Sequence, residues 1–320
     1  MKAVYCLGCL VVVLTGLCCS VNAGQRSKVL ITSSADGTKQ PSYVILPAGF
    51  DPDGKPVSLL VSLHTWSGNL EQRNAPLEKL AEQRGWIYLF PNFRGPNQHP
   101  DACGSQLAQQ DILDAVEWAK KKYPIDVRRI YLTGVSGGGH MTLLMAGRHP
   151  EVWAAASAWV GISDLAAWHK KHAGSKYGRM MEQSCGGAPG DSKAVDNEYR
   201  QRSPLTYLHR AVELPLDIAA GVHDGYSGSV PIHHSLDAFN VIAKAAKANL
   251  ISAAEIKQLS RPSGHLDQPL ASDQVEDATF GRRIFLRRTA NKARVTIFEG
   301  GHEGIAAAAV AWLERHQKSD

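Results

Sequence analysis

The chain has 320 residues, 44% of them hydrophobic and 20% charged, with a formal net charge of +5 and a mean hydropathy of −0.21. That balance excludes a disordered polymer and a multi-span membrane protein, and the length suits one large globular domain or two modest ones. So small a positive excess on so long a chain also argues against a nucleic-acid partner.

Residues 1–23 carry a single charge, Lys2, then an apolar run that closes on the small-residue pattern Val21-Asn22-Ala23, the signature of a cleaved signal peptide. The apolar run from Ala3 to Leu17 is short for a membrane span. Cleavage after Ala23 predicts residues 24–320 as one secreted or periplasmic domain without a membrane span, and the loss of Lys2 takes the formal charge from +5 to +4. It also removes Cys6, Cys9, Cys18 and Cys19 and leaves Cys103 and Cys185. An even pair in an exported chain reads as a disulfide, worth roughly 4–5 kcal/mol for so long a loop; two buried free thiols are the alternative. No cysteine spacing matches a zinc site, so no metal is expected.

From Lys28 onward, short β-branched runs alternate with helical stretches, which predicts a doubly wound α/β fold: a mostly parallel sheet with helices on both faces. Lys28–Thr32 and Ser42–Leu46 flank an Asp36-Gly37 turn and read as an antiparallel pair. Val57–Leu63 and Trp86–Pro91 read as buried strands, with helical spacing over Leu70–Arg84 between them. Leu107–Lys121 puts Ile112, Ala115, Val116 and Ala119 on one stripe and ends in Lys120–Lys122, where cations suit the helix dipole. A strand over Arg129–Thr133 and a helix over Gly137–Arg148 follow. Further strands are expected over Val152–Val160, Leu216–Ala220 and Arg294–Phe298. Residues 165–204 and 249–292 break the rhythm with Gly, Pro, Ser and charge and read as insertions over the sheet's edge. No internal repeat or long linker divides the chain.

The segment Gly134-Val135-Ser136-Gly137-Gly138 places a G-x-S-x-G pattern between a predicted strand and a predicted helix, the context of a nucleophile elbow. A serine there sits in a strained turn that projects its hydroxyl, and glycines two residues to either side remove side chains that would collide with it. The alternatives are a plain glycine-rich turn or a dinucleotide phosphate cradle. Val135-Ser136 interrupts the G-x-G-x-x-G spacing that the cradle needs. No cofactor is expected.

A serine hydroxyl needs an imidazole to take its proton, and the imidazole needs a carboxylate to fix its tautomer. In doubly wound hydrolases these partners follow in the order serine, acid, histidine. Asp224, just past the strand Leu216–Ala220, and His302, just past the strand Arg294–Phe298, fit that order. Asp217 lies within a strand and His265 within an insertion, so both are weaker rivals. Taken singly, Asp224 also reads as a turn residue and His302 as a surface histidine. The oxyanion hole is expected from the Gly137 amide and from the loop Leu63–Gly68, with Trp66 as second donor and Thr65 as fallback. Trp66 reads equally as a packed aromatic.

These residues resemble the catalytic domain of the prolyl oligopeptidase family of serine hydrolases, a branch of the α/β-hydrolase superfamily. The resemblance runs from about Val57 to the C-terminus through Asn92-Phe93-Arg94-Gly95, the helix from Asp111, Gly134–Gly138, Ser203-Pro204, Gly221-x-x-Asp224 with Val230-Pro231, and Gly301-His302. It implies nucleophile, acid and base at Ser136, Asp224 and His302. It departs from the family in four places. The chain has no room for an N-terminal propeller, the turn Gly225–Ser229 is long, residues 249–292 are inserted, and His64-Thr65-Trp66 is closer to secreted esterases, where a His-Gly pair usually stands. The chain is also similar to secreted acetyl and feruloyl esterases.

The resulting expectation is an acyl-enzyme hydrolase of carboxyl esters, such as acyl groups on a polysaccharide. A serine peptidase cleaving oligopeptides is the alternative, and a non-catalytic binding domain is a third reading. Arg282, Arg283, Arg287 and Arg288 read as a solvated basic face rather than a binding site for an acidic substrate. His223, His233 and His234 match no common metal spacing, and a helix is expected to face the last two apart. Residues 165–204, with Trp168, Tyr177, Met180 and Met181, are expected to roof the cleft.

Overall fold

The computed structural model describes residues 24–319. The predicted signal peptide and its cleavage site fall at residues 1–23, outside the described residues. The chain opens with β1 (Arg26–Thr32) antiparallel to β2 (Lys39–Ile45). Between them the Asp36 carboxylate accepts from the Thr38 amide at 3.1 Å and its hydroxyl at 2.7 Å, an Asx-type turn.

The predicted alternation follows: β3 (Val57–Leu63), α1 (Ala75–Gln83), β4 (Ile87–Pro91), α2 (Gln106–Lys122), β5 (Ile125–Val135), α3 (Gly137–Arg148) and β6 (Ala155–Trp159). Next come α4 (Leu165–His172), α5 (Lys176–Cys185), α6 (Lys193–Gln201) and β7 (Leu216–Gly221). The chain ends with α7 (His233–Ala245), α8 (Ala253–Leu259), β8 (Ile284–Ala290), β9 (Ala293–Phe298) and α9 (Ala306–Leu313). The nine strands among the described residues join one sheet in the order β1-β2-β4-β3-β5-β6-β7-β9-β8. From β4 to β9 its neighbours are parallel; β1, β2 and β8 are the antiparallel strands.

Period-2 alternation along each strand divides the core between the two faces of the sheet. Leu59, Val61, Ile87, Leu89, Ile130 and Leu132 pack with α2, α3 and α7. Leu60, Tyr88, Phe90 and Tyr131 point the other way, onto Leu77 and Ala81 of α1 and Val310 and Leu313 of α9. The stripe Ile112, Ala115, Val116 and Ala119 is buried, as the 3.6-residue spacing requires.

Two sequence expectations need correction. The helix read over Leu70–Arg84 begins only at Ala75, because the Asn74 side chain caps it, accepting from the Leu77 amide at 3.3 Å, and Pro76 suits the first turn. The insertion 249–292 also contains a sheet strand, β8. Its arginines concealed it: Arg287 pairs with Asp277 at 2.9 Å, and Arg288 with Asp273 and Glu255, so the charge belongs to a half-buried edge strand.

Candidate active site

Strand order reverses between β3 and β5: β4 lies beyond β3 and β6 beyond β5. In such sheets the crevice opens outside the carboxyl ends of the strands at that reversal. Ser136 joins β5 to α3 there, and its backbone stands at φ 59° and ψ −115°. A non-glycine residue rarely adopts that conformation, at a cost of about 1–3 kcal/mol. The Ser136 amide donates to Trp159 O at 2.9 Å, and Ser136 O accepts from the His140 amide at 2.8 Å. The elbow is possible because the chain is bare around it. A Cβ on Gly134 would stand 2.4 Å from the carbonyl carbon of Gly138.

The structure brings Ser136, His302 and Asp224 into one hydrogen-bonded chain. His302 Nε2 lies 2.8 Å from Ser136 Oγ and its Nδ1 lies 2.6 Å from Asp224 Oδ2. Asp224 sits in a 3-10 turn directly after β7, and His302 in the loop after β9. β7 and β9 pair in register from Leu216 to Gly221, so the sheet itself sets Asp224 beside His302. The Asp224 side chain is fully buried, and its second oxygen accepts from the Val230 amide at 3.2 Å. A buried carboxylate facing Nδ1 makes that nitrogen the proton-bearing one, which leaves the Nε2 lone pair to accept from the serine hydroxyl.

The Trp66 backbone lies against Gly137, the residue after Ser136: a Cβ on Gly137 would lie 2.3 Å from Trp66 N. Neither residue's amide has a hydrogen-bond acceptor among the described residues. Gly137 is the first residue of α3, so its N–H also lies at the positive end of the helix dipole. The Trp66 indole packs at 4.6 Å from Trp168, so this residue is a packed aromatic whose backbone also lies beside Gly137.

His64, at the base of the same loop, stacks on Phe93 at 3.8 Å, and its ring nitrogens lie 2.9 Å from Thr65 O and 2.8 Å from Asn92 O. Arg94 grips Asp111 of α2 through two hydrogen bonds, 2.6 and 3.1 Å. The Asn92–Gly95 loop therefore braces the loop that carries Trp66.

Two segments pack on the loop that carries Asp224. Helices α4–α6 carry Trp168, Met180, Met181 and Cys185, which pack as a buried cluster against Trp66. They are tied to the acid's loop by Trp168 Nε1 and His172 Nε2, at 2.9 and 2.7 Å from Ser229 O, and by Lys171 Nζ, which donates to Gly228 O at 2.8 Å. The second segment is the insertion: Gly225 lies against Leu259 O and Gly264 against Val222.

The sequence reading missed a clasp there. Arg282 holds Glu303, the neighbour of His302, through two hydrogen bonds, and the Glu303 carboxylate accepts from the Gly301 amide at 3.2 Å. The adjacency of Glu303 to His302 is the one sequence signal that pointed to it.

Other predicted residues fall elsewhere. Asp217 is buried inside β7 and pairs with Arg294 at 2.8 Å, and His265 is exposed on the insertion. The basic-face reading is corrected, since Arg282, Arg287 and Arg288 each face a carboxylate. His223 pairs with Glu299. His233 and His234 are not faced apart: their rings stack at 4.4 Å, because His233 opens α7 at the end of a turn. No cluster that could hold a metal ion occurs among the described residues.

The disulfide reading is also corrected: Cys103 and Cys185 are free and buried. Cys103 is pinned at φ 51°, its amide donating to Asn97 Oδ1 at 2.8 Å and its carbonyl accepting from Arg202. Cys185 closes α5 as a packed apolar residue.

The sequence model of the prolyl oligopeptidase family matches residues 77–255. Among curated relatives, acetylxylan esterase A of Aspergillus ficuum is 29% identical over 118 residues, covering 33% of this chain and 38% of that protein. Feruloyl esterase B of Talaromyces stipitatus is 26% identical over 259 residues, covering 78% of this chain and 63% of that protein. The matched stretches thus span less than two thirds of either relative. Among solved structures, an acylaminoacyl peptidase of Pyrococcus horikoshii aligns over 70% of this chain and 36% of its own, with a TM-score of 0.55 and 20% identity. A putative dipeptidyl aminopeptidase IV of Bacteroides ovatus aligns over 71% and 31%, with a TM-score of 0.55 and 19% identity. At those identities the structural likeness is one of fold. No helix among the described residues is long and apolar enough to cross a membrane.

Proposed function

The chain belongs to the prolyl oligopeptidase family of serine hydrolases, and from that premise we propose that it is an exported carboxyl-ester hydrolase working through an acyl-enzyme on Ser136. The reading is carried by one observation: the 2.8 Å contact of His302 Nε2 with the Ser136 hydroxyl, backed by Asp224 at 2.6 Å on the far side of the ring.

Ser136 Oγ attacks the ester carbonyl carbon as its proton passes to His302 Nε2, and the carbonyl oxygen becomes an oxyanion facing the Gly137 and Trp66 amides. Collapse breaks the bond to the leaving alkoxide, which takes the proton from His302 Nε2 and departs as the alcohol. A water molecule then repeats the sequence, giving its proton to His302 and its oxygen to the acyl carbon. The acid departs and Ser136 regains its proton. Asp224 stays ionised throughout and stabilises the transient imidazolium.

Esters are preferred over peptides for two reasons. The curated relatives named above are an acetylxylan esterase and a feruloyl esterase, and alcohols leave more readily than amines, which demand stricter positioning and acid assistance. Acyl groups carried on a polysaccharide are the proposed substrates. Peptide cleavage is the second reading, favoured by the fold shared with peptidases.

Side-by-side assays on p-nitrophenyl acetate, acetylated and feruloylated polysaccharide, and proline-containing peptide amides test it. The expected result is faster turnover of an ester, loss of turnover in a folded Ser136→Ala variant, and labelling of Ser136 by a fluorophosphonate. Faster peptide cleavage overturns the ester preference, and undiminished turnover in Ser136→Ala overturns the nucleophile.

A further inference from the structure

A cavity of about 970 Å³ lies on the insertion side of the sheet, lined among others by His265, Gln274, Glu276, Arg282, Arg283 and Phe285. It belongs to the same sheet edge as the proposed base. The Glu299 amide, three residues before His302, donates to Arg283 O at 2.8 Å, and Arg282 on its rim clasps Glu303. We propose that this groove is the subsite for the alcohol part of the ester, and that the alcohol is a carbohydrate chain. The proposal rests on the ester-hydrolase reading of the site.

The first step is directional. The group that protonates the departing oxygen must face it, so the alcohol leaves on the His302 side of the serine. Trp66, beside Gly137, is closed in by the buried cluster of Trp168 and Met180. The groove reaches the His302 side through one residue, Arg282, which lines it and clasps Glu303 next to His302.

The second step concerns chemistry. Within the lining, Asp273 is committed to Arg288, Asp277 to Arg287, and Arg282 to Glu303. The polar groups left facing the groove are one cation, Arg283, and one anion, Glu276, with Gln274 and His265, all exposed, beside apolar Leu266, Pro269, Val275 and Ile284. A phosphate or another compact anion would call for an excess of positive charge, which the groove lacks. A fatty alcohol would call for a lining without the charged and amide groups that share this one with its apolar residues. Donors and acceptors of both signs, set around the Phe285 ring with the Arg283 guanidinium 4.7 Å above it, fit a surface of many hydroxyls with apolar ring faces. The volume lies at the top of the range of roughly 300–1,000 Å³ for ligand pockets, room for several linked sugar rings.

The test compares Arg283→Ala, which removes donors, with Ala278→Trp, which fills the groove from an exposed lining position. Each is assayed on acetylated xylo-oligosaccharides and on p-nitrophenyl acetate. De-esterified xylo-oligosaccharide is titrated calorimetrically into the same variants carrying Ser136→Ala. Both substitutions are expected to lower the kcat/KM ratio of oligosaccharide ester to p-nitrophenyl acetate, and to weaken oligosaccharide binding, by about tenfold or more. A ratio and an affinity within about twofold of the parent in both variants overturn the groove. If the parent cleaves neither ester, the ester reading fails by itself and binding alone decides: no oligosaccharide binding to the parent, or unaltered binding in both variants, overturns the proposal.

Discussion

Arg282 and Glu303 clasp each other through two parallel hydrogen bonds, 2.7 and 3.0 Å long, one residue beyond His302. Arg282 Nη1 also donates to Glu299 O at 3.3 Å, and the Gly301 amide donates to the Glu303 carboxylate. The loop that carries the imidazole is thus fastened to the start of β8 on both sides of His302.

Removing that clasp should loosen the imidazole without touching a small substrate. Arg282→Ala is expected to lower kcat on p-nitrophenyl acetate by about tenfold with little change in KM, because geometry for proton transfer is lost while binding is not. Arg282→Lys, which keeps the charge and loses the fork, should recover part of the rate. Both partners are well exposed, so the melting temperature should barely move. A fall in thermal stability that accounts for the whole loss of activity would assign the pair a structural role instead.

The elbow leaves no space at Gly134. A methyl group there would lie 2.4 Å from the carbonyl carbon of Gly138, which is backbone and cannot swing away. Gly134→Ala is expected to cost about 1–3 kcal/mol or more and to abolish ester turnover by displacing Ser136. Denaturant unfolding with a parallel assay checks both, and unchanged activity would contradict the strained-turn account.

Cys103 and Cys185 share one buried cluster as free thiols, and burial pushes the Cys103 thiol up to about 11. Burial acts on Cys185 in the same direction. Neither should ionise near neutral pH or react from the folded state. In a chain starting at Gly24, an aromatic disulfide reagent should titrate no thiol in the native protein and both after unfolding, and a reductant should leave the melting temperature unchanged. A melting temperature that drops with reductant would reinstate the disulfide.

What could be read beforehand was whatever has a local cause. β3, β5 and β9 announce themselves as short apolar runs, and Ser136, Asp224 and His302 follow strand ends in one fixed order, so a one-dimensional pattern implied a three-dimensional cluster. β8 did not announce itself, because the acids that neutralise Arg287 and Arg288 come from a segment ten to fifteen residues earlier and from α8. The Arg282–Glu303 clasp was hidden for the same reason: β8 and β9 pair antiparallel, which brings together residues that sequence spacing keeps apart. The state of Cys103 depended on side-chain packing across the cap helices, on which spacing is silent.

His140 gives the fold a direction of acid sensitivity. It lies wholly inside α3, its ring 5.7 Å from Trp66 and its Nε2 2.8 Å from Arg202 O. Burial lowers its pKa from 6.5 to about 4, and the nearby Arg202 charge pushes the same way. Between those two values the unfolded chain holds a proton that the native chain lacks. Stability therefore rises with pH across the window and is level, for this group, above about 6.5. Acidification to about pH 4 should remove roughly 3 kcal/mol through His140 alone. Burial lowers His64, His149, His234 and His316 as well, so their contributions have the same sign. Urea unfolding at intervals from pH 4 to pH 7.5 should show ΔG climbing and then flattening. His140→Gln, whose amide can still donate to Arg202 O, should reduce the slope below pH 6.5 whatever it does to ΔG at neutrality. An identical slope in that variant would mean that His140 is already protonated in the folded protein.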